Sequence, residues 1–169
     1  MSLKPDARFA VVLVSNEGNQ AKTSNWTAGL AELNALGTHT AGVLKAGRRL
    51  IDFDPNPHLG GYITTVELQN TGAGATAWWF YANVAPEFIA SKLKEHQARL
   101  TDIEQHPNGR FSVIMVKSQG ESWWWYLGRT AAQVDTLAKK FEARVIDIET
   151  HLAGVTRRFD VILLENKKP

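Results

Sequence analysis

One phrase occurs three times in this chain. Arg49-Leu50-Ile51-Asp52-Phe53-Asp54 returns as Arg99-Leu100-Thr101-Asp102-Ile103-Glu104, and again as Arg144-Val145-Ile146-Asp147-Ile148-Glu149. An apolar strand, a tryptophan-rich strand and a helix recur around it in constant order. Self-similarity at a period of about 45–50 residues marks a repeat architecture. Such a chain folds into copies of one supersecondary unit, none of which can bury its faces alone, so neighbours must stack.

The first unit opens with the strand-like run Arg8-Phe9-Ala10-Val11-Val12-Leu13-Val14, followed by the turn Asn16-Glu17-Gly18. A second strand fits Trp26 to Leu33, a short glycine-containing helix fits Thr38 to Ala46, and a third strand fits Leu50 to Asp54. In the second unit the strands are Tyr62–Leu68, Trp78–Tyr81 and Leu100–Glu104, with a helix from Pro86 to about His96. The third has strands Phe111–Val116, Trp123–Tyr126 and Val145–Glu149. Its helix starts at a Thr130/Gln133 capping box and carries Val134, Leu137, Ala138 and Phe141 on one face. Phe159–Leu164 repeats the opening strand once more.

The boundaries expected are therefore 8–61, 62–110 and 111–158, with a closing strand at 159–166, in a single repeat domain. Phe111, Val113 and Met115 alternate with Ile114 and Val116, so both faces of that strand are apolar and it is central in its sheet. Ile146 and Ile148 are expected to face the helix, with Asp147 and Glu149 on the other side. The fold class expected is α+β: strand-strand-helix-strand repeats in mixed sheets, helices outside, bent into a propeller-like ring or arc.

Composition limits the function classes. A length of 169 residues with 44% hydrophobic and 21% charged content suits a globular core. The net charge of +2 is scattered, and only Arg157-Arg158 and Lys167-Lys168 are clustered, which is not the dense basic stripe of a nucleic-acid binder. With no cysteine, disulfides, thiolate metal sites and cysteine nucleophiles are excluded. No apolar run approaches a membrane span, and the first residues lack the apolar core of a signal peptide.

The Trp-Trp-Trp-Tyr strand, the helix after it and Ala143-Arg144-Val145-Ile146-Asp147-Ile148-Glu149 followed by Arg158-Phe159 resemble the bacterial tandem repeat domain. The second unit carries the resemblance through Trp78 to Tyr81, Ala98 to Glu104 and Arg110-Phe111. The first departs from it, keeping only Trp26 of the aromatic run. Such repeats look like the N-terminal region of the fungal polyglycine hydrolases, secreted proteases whose chemistry is attributed to a separate domain. The resemblance implies a non-catalytic interaction module, with a lean towards secretion.

Three groups of residues are candidates for a site. The pairs Asp52/Asp54, Asp102/Glu104 and Asp147/Glu149 each put two carboxylates on one strand face, which suits a hard cation. The recurrent arginines Arg8, Arg99, Arg110, Arg144 and Arg158 offer the other reading, in which the acids form structural ion pairs. Trp78, Trp79, Trp123, Trp124, Trp125 and Tyr126 are aromatic anchors for a partner or core packing, with one strand face left open as a binding surface. Among His39, His58, His96, His106 and His151, the last two lie just beyond their acid pairs and suggest a carboxylate–histidine cluster. Ser91-x-x-Lys94 lies within a helix without the companion motifs of a β-lactamase-type enzyme.

Unlike groups converge once in an active site, whereas here like groups occur three times. The expectation is a non-catalytic binding module with no cofactor and a protein or glycan partner. The alternative is a small hydrolase, or a metal-binding protein, built on the Asp-x-Glu carboxylates.

Overall fold

The computed structural model describes residues 21–30, 33–56 and 62–166. It is an α+β structure. Its elements are β1 (Ser24–Leu30), α1 (Leu33–Lys45), β2 (Arg48–Asn56) and β3 (Tyr62–Gln69); then β4 (Trp78–Val84), α2 (Pro86–His96), β5 (Ala98–Gln105) and β6 (Phe111–Lys117); then β7 (Trp123–Arg129), α3 (Ala131–Lys140), β8 (Ala143–Ala153) and β9 (Thr156–Glu165). The chain divides into two compact units, Met1–Ala75 and Thr76–Pro169. The strand expected at 8–14 lies outside the described residues.

Each strand–helix–strand–strand segment makes one open three-stranded sheet, and the three sheets share a strand order: β1-β3-β2, β4-β6-β5 and β7-β9-β8. All pairings are antiparallel. This corrects the expected mixed sheets. The helix does link two parallel strands, but the hairpin that follows inserts a strand between them, a split β-α-β arrangement. It also corrects the phase of the pattern. Phe159–Leu164 is no extra closing strand; it belongs to β9, the centre of the third sheet. β3 and β6 hold the same central place, and β6 is apolar on both faces, as such a place favours.

Correspondence between the sheets extends to single residues. Leu50 pairs with Glu67, Leu100 with Met115 and Val145 with Leu163. In each case the register then slips before the aspartate of the repeated phrase, at Ile51, Thr101 and Ile146. Each helix is followed by a residue in the left-handed region, Gly47, Gln97 or Glu142, whose carbonyl accepts from Asn70, Ser118 or Asn166 respectively. These fixed points align the helices as well as the strands.

The register slip overturns the expected face of Ile146. A bulge breaks strict alternation, so Val145 and Ile148 share the helix-side face through their partners Leu163 and Val161. Ile146 instead packs against the core of the second sheet.

Within the second compact unit, two apolar clusters hold the elements. One joins Ile89 and Leu93 of α2 to Leu100, Ile103, Phe111, Val113 and Met115, and takes in Ile162, Trp123, Trp125 and Ile146 from the third sheet. The other joins Val134 of α3 to Val161 and Leu163, with Trp124, Tyr126 and Phe141 packed on it. α3 begins at the expected capping box: Gln133 N donates to Thr130 Oγ1 at 3.2 Å, and Thr130 N donates to Gln133 Oε1 at 2.9 Å.

Candidate functional site

The aromatic residues expected to bind are placed in packing. Trp78 is buried. Trp79 stacks on His96 with centroids 4.3 Å apart, and Trp124 stacks on Phe141 at 4.2 Å. Tyr126 lies over the same Phe141 ring at 6.5 Å. Trp123 and Trp125, on the other face of that strand, pack against the core of the second sheet. Offset and parallel stacks of this kind add to the burial of each ring.

The acids and arginines are placed as follows. Asp147 Oδ2 accepts a 2.9 Å hydrogen bond from Ile103 N, tying the third sheet to the second. Asp102 is buried, Glu104 and Glu149 are half-buried, and Asp52 and Asp54 are exposed. Among the described residues no group of three or more histidine and acidic side chains is arranged to hold a metal ion. Arg99 Nε donates to Glu121 Oε1, Arg110 Nε to the Asn83 carbonyl at 2.6 Å, and Arg144 Nη1 to the Glu165 carbonyl and Asn166 Oδ1, both at 3.3 Å. Arg158 is half-buried on β9, opposite His151. Burial would raise the Glu121 carboxyl, but backbone amides and Arg99 outweigh it and hold the pKa below the usual value.

His106 and His151 contact Ser112 and Asp160 of the central strands, two residues that sequence reasoning had not singled out. His106 Nε2 lies 2.7 Å from Ser112 Oγ, and His151 Nδ1 lies 3.4 Å from Asp160 Oδ2. Ser112 and Asp160 hold corresponding places, paired with Glu104 and Glu149. Both also accept a backbone N–H from a left-handed residue, Asn83 at 3.4 Å and Gly128 at 2.6 Å. The pairing supports a strand end in two segments alike.

The first segment differs from the others at its centre. Thr65 and Glu67 of β3 are buried where the corresponding residues are Val113 and Met115, or Val161 and Leu163. His39 of α1 stands as far ahead of Gly47 as the buried Ile89 and Val134 stand ahead of Gln97 and Glu142. Arg48 begins β2 where the buried Ala98 and Ala143 begin β5 and β8.

These four polar replacements meet. His39 Nε2 is 3.0 Å from Thr65 Oγ1 and 3.2 Å from Glu67 Oε1, and Arg48 Nη1 is 3.3 Å from Glu67 Oε2. On β1, Asn25 and Thr27 occupy the register places of Trp79 and Tyr81, or Trp124 and Tyr126. Ala46 stands at the place of His96 and Phe141. Asn25 is exposed and Thr27 half-buried, so small polar side chains stand on β1 where the other segments carry indole and phenol.

The arrangement has a definite chemistry. A buried carboxylate is costly unless paired and hydrogen-bonded, and Glu67 has both a guanidinium and an imidazole against it. Nucleophilic catalysis of the serine-protease kind uses one ring nitrogen for the hydroxyl and the other for the carboxylate. Here both contacts go to Nε2, and Thr65 is fully buried. The cluster therefore suits fixed hydrogen bonding, with Arg48 and the edge of His39 as its more accessible groups. Sequence reasoning singled out only His39 of the four. The available signal was a break in the apolar pattern of one repeat against the other two.

Family models, curated proteins and solved structures give no match to this chain.

Proposed function

We propose that the chain is a non-catalytic binding module built from three tandem split β-α-β units, and that its first unit holds a protein or glycan partner through the Arg48–Glu67–His39–Thr65 cluster. The triplicated phrase, the common strand order and the common register slip support the tandem reading, as does the resemblance to the bacterial tandem repeat domain. The observation that carries the site is the coincidence of four polar replacements in one apolar core, linked in the chain Thr65–His39–Glu67–Arg48. Local rules broken together at one place mark function more often than accident. A guanidinium and an imidazole held by a buried carboxylate present fixed donors to the hydroxyl or amide groups of a partner.

The experiment compares the natural chain with a His39→Ile, Arg48→Ala, Thr65→Val, Glu67→Met variant, which imports the core of the second unit. Both are screened against glycans and immobilised peptides, with tryptophan fluorescence as readout. The folded variant is expected to lose the ligand that the natural chain selects. Equal binding by both would remove the cluster from the site.

A further inference from the structure

We propose that the end of the β8–β9 hairpin docks on a bilayer surface rich in anionic lipid. This hairpin is longer than its counterpart in the second sheet. There the ladder ends at Gln105 and Phe111, and the turn beyond is tied down: His106 N donates to the Arg110 carbonyl at 2.8 Å, and Arg110 Nε to the Asn83 carbonyl at 2.6 Å. The corresponding pair in the third sheet is Thr150 and Phe159, and the strands run on through His151–Arg158, Leu152–Arg157 and Ala153–Thr156. Three further residue pairs are about 10 Å of strand. Gly154, in the left-handed region at φ 62°, and Val155 make the two-residue turn at the tip.

The chemistry changes in order along this extension. Val155 at the tip is fully exposed, and Leu152 just behind it is 70% exposed. Ala153, Gly154 and Thr156 around them carry no charge, and no acid occurs from Thr150 to Phe159. Arg157 lies across the ladder from Leu152 and Arg158 follows it, so strand alternation sends the two guanidinium groups to opposite faces of the hairpin. His151 is ion-paired with Asp160, but among the described residues neither arginine has a carboxylate partner. An aliphatic tip backed by a cationic collar follows the depth order of an anionic membrane interface, in which acyl chains lie below phosphate and carboxylate groups. Arginine stems can lie along the apolar layer while their heads stay among the headgroups. A stable protein interface takes roughly 20–30 residues a side, more than this hairpin end offers, whereas a lipid surface needs only a shallow apolar insertion and charge. Among the described residues no helix is long and apolar enough to cross a membrane; the hairpin contact rests on the surface and does not cross it.

Cosedimentation of the chain with phosphatidylcholine vesicles, with and without phosphatidylserine, tests this. The natural chain is expected to sediment with the mixed vesicles, to stay in solution with pure phosphatidylcholine, and to be released as salt rises. Replacing Arg157→Gln and Arg158→Gln together should weaken partitioning by about fivefold per arginine. Leu152→Ser with Val155→Ser should weaken it by at least about tenfold, the effect of withdrawing one aliphatic side chain from an apolar layer. Lys139→Gln with Lys140→Gln makes the same charge change at the end of α3 and should weaken it less. Val155→Ser alone is the second tip variant if the double one lowers Tm. Failure of the natural chain to sediment with the mixed vesicles overturns the proposal. So does an equal loss in the α3 variant, which would make the attraction a property of net charge. Full binding by the tip variant overturns it as well, and capture on immobilised polyglutamate would then assign the arginines to an acidic protein.

Discussion

His39 Nε2 lies 3.2 Å from Glu67 Oε1, and these two residues stand where Ile89 and Met115 stand in the next segment. An imidazole and a carboxylate have replaced two apolar side chains at the centre of a helix–sheet core. Removing one partner of a buried pair leaves a bare polar group, whereas replacing the whole set by apolar residues of similar volume is often neutral or stabilising. Glu67→Met alone should therefore lower stability by about 3–5 kcal/mol in urea unfolding. The fourfold apolar variant should unfold at or above the midpoint of the natural chain. A fourfold variant as weak as the single one would make the cluster a structural necessity.

Asp147 should behave as a tie between sheets. Asp147→Ala leaves the Ile103 amide without its 2.9 Å acceptor, at a cost of about 1–3 kcal/mol. The expected result is a fall in Tm with the far-ultraviolet spectrum unchanged below the transition. An unchanged Tm would mean that water replaces the carboxylate without loss.

Trp124 is stacked on Phe141 beneath α3. Trp124→Ala should lower stability, by less than the about 3–5 kcal/mol for emptying a fully buried indole site, because Trp124 is half-buried. Loss of ligand binding at full stability would be the opposite result, and would return this indole to the binding surface.

His106 should give the fold a dependence on pH. Burial lowers its imidazole pKa below the ordinary 6.5. Above about pH 6.5 the ring is neutral in both folded and unfolded chains. As pH falls below that value, the unfolded chain takes up a proton before the folded one does, so stability falls until the folded pKa is reached. His106→Asn should flatten the Tm profile over that interval, and an unchanged slope would assign it to another group.

Asp160 sits at the place of Ser112, and burial raises its carboxyl pKa against the opposing pull of the Gly128 amide and the His151 ring. An acid with a raised folded pKa is destabilising once ionised, so stability falls as pH rises from the ordinary carboxylate range through the folded value. Asp160→Ser imports the solution used in the second segment. It should remove that decline while changing stability at neutral pH by no more than about 1 kcal/mol, the scale of one hydrogen bond exchanged for another. A decline that survives the substitution would belong to other carboxyls.

Much of the secondary structure is legible locally because periodicity and turn chemistry act over a few residues. The helix Pro86–His96 follows from a proline at its first turn, and α3 from its capping box. The central place of Phe111–Lys117 follows from apolar residues on both faces. The antiparallel order does not follow, because strand composition says nothing about which neighbour a hairpin will slip between. The face of Ile146 was misread because a bulge cannot be seen in an alternating pattern. The site was missed for a related reason: Arg48, Thr65 and Glu67 are ordinary residues in a strand, and become unusual only once register sets them against Ala98, Val113 and Met115.

By itself, the sequence determined the α+β class and where the strands and helices between Tyr62 and Glu165 fall, since those follow from short-range sterics and burial periodicity. Only the tertiary structure decided which strands pair, which faces the bulges turn inward, and that a histidine, an arginine, a threonine and a glutamate scattered over 29 positions meet in one core. Those are consequences of distant segments closing on each other, where hydrogen-bond register and packing, rather than local preference, select the arrangement.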